Sequence, residues 1–197
     1  MFKHLSEYNF FTHPLKNQIP TNNVFAYNVA SPLFTDYAYK KRFIYVPDNS
    51  TLILKDDGHF IYPQGTVLIK NFYYPQDFNK PNNDIRIMET RLLIKTIDNW
   101  VALPYIWNEE QTDAVLEIAG DRISTNWKHY NGKNVSTEYV VPNMNQCKGC
   151  HVYKNNLQPI GPTVKNLNYI YTELENPKNQ IDFWTEIGIL ESTQLHH

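Results

Sequence analysis

Residues 66–74 read TVLIKNFYY, and their alternation limits the fold more than any other stretch of the chain. Successive side chains of a strand point to opposite faces. Thr66, Leu68, Lys70, Phe72 and Tyr74 therefore share one face, and Val67, Ile69, Asn71 and Tyr73 share the other. Further strand signals surround this run. RFIYVPD ends in a turn, and STLILKDDGHFIYPQG is two runs joined by Asp57-Gly58, a strong hairpin signal. After a loop at QDFNKPNND, IRIMETRLLIKTIDNWVALPYIWN offers two long strands turning at Asp98-Asn99, and EYVVPN reads as a last strand. The expectation is a mainly β (α+β) domain, a twisted antiparallel sheet through about residue 141.

The flanks read differently. Residues 1–40 form an irregular leader, with turn material in HPLKNQIPTNN and room for one short helix after Ser31-Pro32. After Pro142, MNQCKGCHVYKN can form a short helix and PIGPTVKNLN a constrained loop. NQIDFWTEIGILE then places Ile181, Trp184, Ile187 and Gly188 at helical spacing, which predicts a closing helix. With 197 residues and no internal repeat, one domain spanning 1–197 is the economical organisation. A formal charge of -2 gives no electrostatic footprint for nucleic acid or an anionic membrane surface. No apolar run approaches the ~20 residues that span a bilayer.

Both cysteines of the chain lie in QCKGCH. A c-type haem is attached by two thiols three residues apart, which add across its two vinyl groups. The next residue, a histidine, then falls beneath the iron as axial ligand. Cys147, Cys150 and His151 supply that order. A structural zinc site would need a fourth ligand, commonly from a second pair at similar spacing, whereas His4, His13, His59 and His129 are scattered singly. A thiol redox pair would follow a strand in a βαβ setting, which the pattern does not offer. The motif favours one covalently attached haem c with His151 as proximal iron ligand, and zinc and a redox pair are the alternatives. Haem attachment of this kind takes place outside the bacterial cytoplasm, so a periplasmic or otherwise exported protein is expected. The start, MFKHLSEYNFF, is too polar for an export signal; the expectation is a mature domain whose export signal has been replaced by a starting Met, with a cytoplasmic protein as the alternative.

The blocks ASPLFTDYAYKKRFIYVP, YPQGTVLIKNF, METRLLIK, YIWNEEQTDA and VPNMNQCKGCH…PIGPTVKNLN resemble a family of exported bacterial proteins with a C-terminal c-type haem motif, some of whose members are associated with polysaccharide degradation. More distantly, RFIYVPDNS…DDGHFIYPQGTVLIK, then NWVALPYIWN, then the cysteine motif is similar in order and spacing to the cytochrome P-460 family and the gas-binding cytochromes c′-beta. That resemblance implies an antiparallel β domain carrying haem c near its C-terminus. It also implies a role at the haem for Lys70, which falls where the P-460 enzymes join a lysine covalently to the haem. The acidic residue that often follows that lysine is Asn71 here, a departure from the pattern.

The sixth iron position is the open question. Met144 would share a helical face with His151 and cannot swing to the far side. Met88 lies in a strand and is a weak distal candidate, with a core filler as its plainer reading. His59, beside a turn, and His129, in a polar loop, read as solvated, while His4 and His13 sit in a leader able to fold over a haem edge. Lys70 either snorkels at a sheet edge or stands at the haem. Glu89 and Arg91 share a strand face and are expected to pair with one another or a neighbour. An arginine there suits a haem propionate or a bound anion. Gly161 and Pro162 are placed to hold the chain against a haem edge, and NEEQTD reads as a solvated turn. Three functions follow: electron transfer with a redox partner protein, an open iron site for a small diatomic ligand or catalysis, and a binding module with a structural haem.

Overall fold

The computed structural model describes residues 1–143, 152–153, 156–172 and 176–191. The fold is mainly β with antiparallel sheets. Its centre is a six-stranded sheet built from β1 (Val24–Tyr27), β2 (Tyr39–Tyr45), β5 (Val67–Pro75), β6 (Ile85–Lys95), β7 (Trp100–Trp107) and β8 (Ala114–Leu116), in the order β1-β2-β5-β6-β7-β8. Every neighbouring pair in it is antiparallel. The Asp57-Gly58 turn joins β3 (Ile53–Leu54) to β4 (Phe60–Ile61) as the sequence predicts, with Gly58 at φ 79°. Val164 N donates to the Gly58 carbonyl at 3.0 Å, which seats this hairpin on the short helix α1 (Val164–Leu167).

The two faces of β5 go to different cores, as its alternation requires. Val67, Ile69 and Tyr73 pack with the leader residues Leu5, Phe10, Phe11 and Leu15. Each large apolar side chain so buried contributes about 1.5–3 kcal/mol. Asn71, on the same face, is fully buried. Its amide donates to Gln18 Oε1 at 2.8 Å, and its carbonyl accepts from Thr90 Oγ1 at 2.6 Å. Trp107 Nε1 in turn donates to Thr90 Oγ1 at 2.9 Å. This chain of hydrogen bonds ties the leader to the sheet and explains an Asn at a core position.

On the opposite face two apolar clusters stand apart. One gathers Ile44, Leu68 and Leu93 with Phe60, Trp100 and Trp184. Trp184 comes from the closing helix α2 (Gln180–Glu186), capped by Asn179, whose side chain accepts from Ile181 N. Gln180 bonds both ways to the backbone of Asn28, accepting its N–H at 2.7 Å and donating to its carbonyl at 3.0 Å. The other cluster gathers Phe72, Tyr74 and Met88 with Phe78, Trp127 and Tyr139. Trp127 and Tyr139 belong to a hairpin of β9 (Asp121–Lys128) and β10 (Asn134–Val141). Four short strands complete the described residues: β11 (Val152–Tyr153) pairs with β12 (Asn156–Leu157), and β13 (Ile170–Tyr171) with β14 (Lys178–Asn179).

Three expectations need correction. Residues 31–37 form turns and bends instead of a helix. Asp36 and Tyr37 are consecutive left-handed residues, at φ 41° and 62°, which no right-handed helix accommodates. Strand β9 was not expected, because only Thr125 and Trp127 of its eight residues are buried and the rest read as polar loop. The strand containing EYVV begins earlier, at Asn134, to pair with it, and the short ladders β11–β14 follow it.

Candidate functional site

A cavity of about 590 Å³ opens between those two clusters. Its floor follows from strand register. Tyr27 pairs with Arg42, Arg42 with Lys70, Lys70 with Arg91, and Arg91 with Pro104, so five strands present one transverse row on one face. The row behind it is apolar, Ile44-Leu68-Leu93-Ala102, and the row in front is Lys40-Phe72-Glu89-Ile106. The walls come from Leu33 and Phe34, from Val140 and Pro142, and from Pro159 to Pro162. Among the described residues the wall includes Pro142 on one side of the cysteine motif and Pro159 on the other, and Cys147, Cys150 and His151 fall between them in sequence. These three residues, like Met144, lie outside the described residues.

Among the described residues, four cations face this space: Lys40, Arg42, Lys70 and Arg91. Arg91 is answered by Glu89, as the sequence leads one to expect. Its Nε and Nη2 donate to the two carboxylate oxygens at 2.6 and 2.9 Å. Glu89 is fully buried and also accepts from Tyr139 Oη at 2.7 Å. The Arg91 guanidinium lies over the Phe72 ring, 4.4 Å from its centroid, with Lys70 Nζ at 5.5 Å and Lys40 Nζ at 6.0 Å from the same ring. Arg42 is buried and donates from Nη1 to Asn28 Oδ1 at 3.0 Å, and Lys40 donates to the Leu33 carbonyl at 2.7 Å. Lys70 makes no hydrogen bond or ion pair among the described residues. Burial first, then the charges of Arg42, Arg91 and Lys40, presses its ammonium down to about 8 against the pull of Glu89. Lys40 is held near about 8 by burial, then by Arg42 and Arg91.

Tyr27, at the end of the row, is pushed up to about 12 by burial, with Arg42 pulling the other way. An unfolded tyrosine ionises near about 10. The folded state therefore holds this proton longer, and the stabilisation present below pH 10 is lost as pH rises toward 12. Urea denaturation across that window should show the unfolding free energy falling, by up to about 1.4 kcal/mol per pH unit from this group. Tyr27→Phe should flatten the fall, and an unchanged slope would refute the assignment.

Of the other residues singled out in the sequence, Gly161 and Pro162 reach the cavity, and Met88 and the described histidines lie elsewhere. Met88 is the extra residue where the β5–β6 register shifts beside Phe72 and Tyr73. It turns into the cluster with Phe72 and Tyr139, is 1% exposed, and is not among the cavity walls. His59 is exposed at its hairpin turn. His129 is half-buried among the rings of Tyr37, Phe78 and Tyr130, where a solvated loop was expected. The leader that holds His4 and His13 packs on the sheet face away from the cavity; His4 Nδ1 lies 3.6 Å from Asp113 Oδ2. In NEEQTD, Gln111 and Asp113 are structural. Gln111 bonds both ways to the backbone of Ile87, and Asp113 accepts from Ser6. Gly161 and Pro162 do line the cavity; the Gly161 carbonyl accepts from Asn166, and that of Pro162 from Tyr62 Oη. Lys40 and Arg42 were missed by sequence reading; their shared face with Ile44 in YKKRFIY was the available signal.

Comparison with protein-family models, with curated proteins and with solved structures finds no match to this chain. Among the described residues, no three His, Cys, Asp or Glu side chains gather into a metal-binding cluster. No described helix is long and apolar enough to cross a membrane.

Proposed function

We propose that this chain is a monohaem c-type cytochrome domain with a cytochrome P-460-like β fold. It works in electron transfer in the bacterial cell envelope with a redox partner protein. Cys147 and Cys150 carry the thioethers and His151 is the proximal ligand. One observation supports this above the rest: the cavity lies where the segments on either side of CKGCH meet the sheet. The described residues fit such a group. The volume is within the range of about 300–1,000 Å³ usual for cofactor pockets. Leu68, Leu93, Ala102 and Ile160 give the apolar walls a macrocycle needs, and the floor is cationic where haem is anionic.

Bound there, haem supplies one-electron redox chemistry. The chain's own residues set the surroundings. The apolar walls keep water from the ring, and Phe72 forms part of the surface beneath the cations. Positive charges held nearby favour the state with one more electron. Glu89 fixes Arg91 in place and cancels its charge.

Lys70 favours a second reading, an open iron site for a small molecule such as NO or CO. It faces the cavity from the floor and makes no hydrogen bond or ion pair among the described residues, and the chain has no methionine after the cysteine motif to fill the sixth position as electron-transfer cytochromes commonly do. The ferrous spectrum before and after carbon monoxide tests both readings on protein made with a haem-attachment system. Sharp split bands indifferent to the gas support electron transfer, and a broad spectrum that sharpens supports the open site. A chain carrying no haem chromophore at all overturns the proposal.

A further inference from the structure

The charge pattern of the floor has a meaning of its own. Arg91 has a carboxylate partner. Among the described residues, Arg42 and Lys40 donate to neutral oxygens, of the Asn28 side chain and the Leu33 backbone, and Lys70 donates to nothing. Lys70 and Arg42 are direct cross-strand partners, and Lys40 is two residues from Arg42 on the same face. Like charges directly opposite one another on a sheet repel, and partial burial strengthens the repulsion. The carboxylates that act on these groups are Asp36, beside Lys40, and Glu89, already bound to Arg91 and Tyr139. Among the described residues, three clustered cations in a concave, mostly apolar space are thus left short of negative charge.

We propose that Lys40, Arg42 and Lys70 form an anion-binding site on the cavity floor, fitted to a compact oxyanion of carboxylate type. The planar fork of Arg42 is suited to two oxygens at once, and the two lysines add point charges from either side. An anion placed among them would also lift the pressure that holds both lysines near about 8. Such an oxyanion has two sources, a propionate of the attached haem or a free small anion. The first rests on the haem reading above, and the second does not.

Thermal unfolding followed by far-ultraviolet circular dichroism separates them, with inorganic phosphate as probe, sodium chloride of equal ionic strength as control, and haem absorbance read on the same samples. A free-anion site predicts a midpoint that phosphate raises by a few degrees beyond chloride, an effect lost in Lys70→Met and Lys40→Met. A propionate site predicts no phosphate response and a midpoint lowered in both variants, because each removes a counter-charge. If the cations have no anion, removing one relieves repulsion. A midpoint unchanged or raised in both variants, with no phosphate response, overturns the proposal. A phosphate response that survives both substitutions overturns its assignment to these residues. Absence of haem absorbance would defeat the haem reading alone, since the phosphate comparison still reports on the floor.

Discussion

A Cys147→Ala, Cys150→Ala double variant is expected to lose all covalently attached haem, from one per chain to none. The measurement is haem staining after denaturing electrophoresis, backed by extraction into acidified organic solvent. Wild-type haem should stay with the protein, and any pigment bound by the variant should leave with the solvent. Each single variant should keep one thioether and show a displaced absorption band in alkaline pyridine, because one vinyl group then stays conjugated with the ring. The rival chemistries predict otherwise. A zinc site would give wild-type protein with one zinc and no haem, and a redox pair would give a disulfide that dithiols reduce. The sheet itself should outlast the double substitution. Among the described residues, the cluster beneath the leader draws on residues up to Ala114 and its close neighbours, and the cluster around Tyr139 on residues up to Val141. A variant with native strand content and no haem would locate the motif's contribution in cofactor retention. Global unfolding would instead mean that the covalent link holds the fold together.

What could be read from the sequence, and what could not, divides along one physical line. Local alternation and turn chemistry are written in consecutive residues. TVLIKNFYY therefore gave the two faces of β5, Asp57-Gly58 gave a hairpin, and the turn before Asn99 is closed by Thr96, whose N–H and hydroxyl both donate to the Asn99 carbonyl. The closing helix was legible because Trp184 needs burial at helical spacing from Ile181. Strand β9 was hidden because most of its side chains face water, and its partner β10 buries no more of its own, only Tyr139 and Val141. The cavity floor was hidden for a different reason. Lys40, Arg42, Lys70 and Arg91 come together only through the register of three strands, and a shift of one residue would send any of them to the other face. A formal charge of -2 for the whole chain says nothing of four cations in one pocket. Met88 shows the same limit in reverse: its direction depends on a register shift that alternation alone does not announce.

Glu89→Ala should be among the most destabilising single substitutions in the sheet. The carboxylate is fully buried and accepts three charge-assisted hydrogen bonds, from Arg91 Nε, Arg91 Nη2 and Tyr139 Oη. Its removal leaves the Arg91 guanidinium without that counter-charge and the Tyr139 hydroxyl, held protonated by burial and by Glu89, without its acceptor. Breaking one side of a buried pair costs about 3–5 kcal/mol. In a chain of this length each kcal/mol is worth roughly 2–4 °C, so the midpoint should fall by about 10 °C. Glu89→Gln keeps the shape and one acceptor and should cost less. The informative partner is Glu89→Gln with Arg91→Met, where both charges go. Because a buried pair can often be replaced by matched neutral groups with little loss, the double variant should regain much of what Glu89→Gln alone gives up. A loss below about 1 kcal/mol for Glu89→Ala would mean that solvent reaches the pair freely, contrary to its burial. The same variant also reports on the floor of the cavity. With Glu89 gone, Arg91 loses that carboxylate and the row beside Lys40, Arg42 and Lys70 gains net positive charge. If the cations bind an anion, added phosphate should recover part of the lost stability beyond what chloride does. Glu89 then has two duties, to hold Arg91 against Phe72 and to keep the positive charge of the row from exceeding what one bound anion can balance.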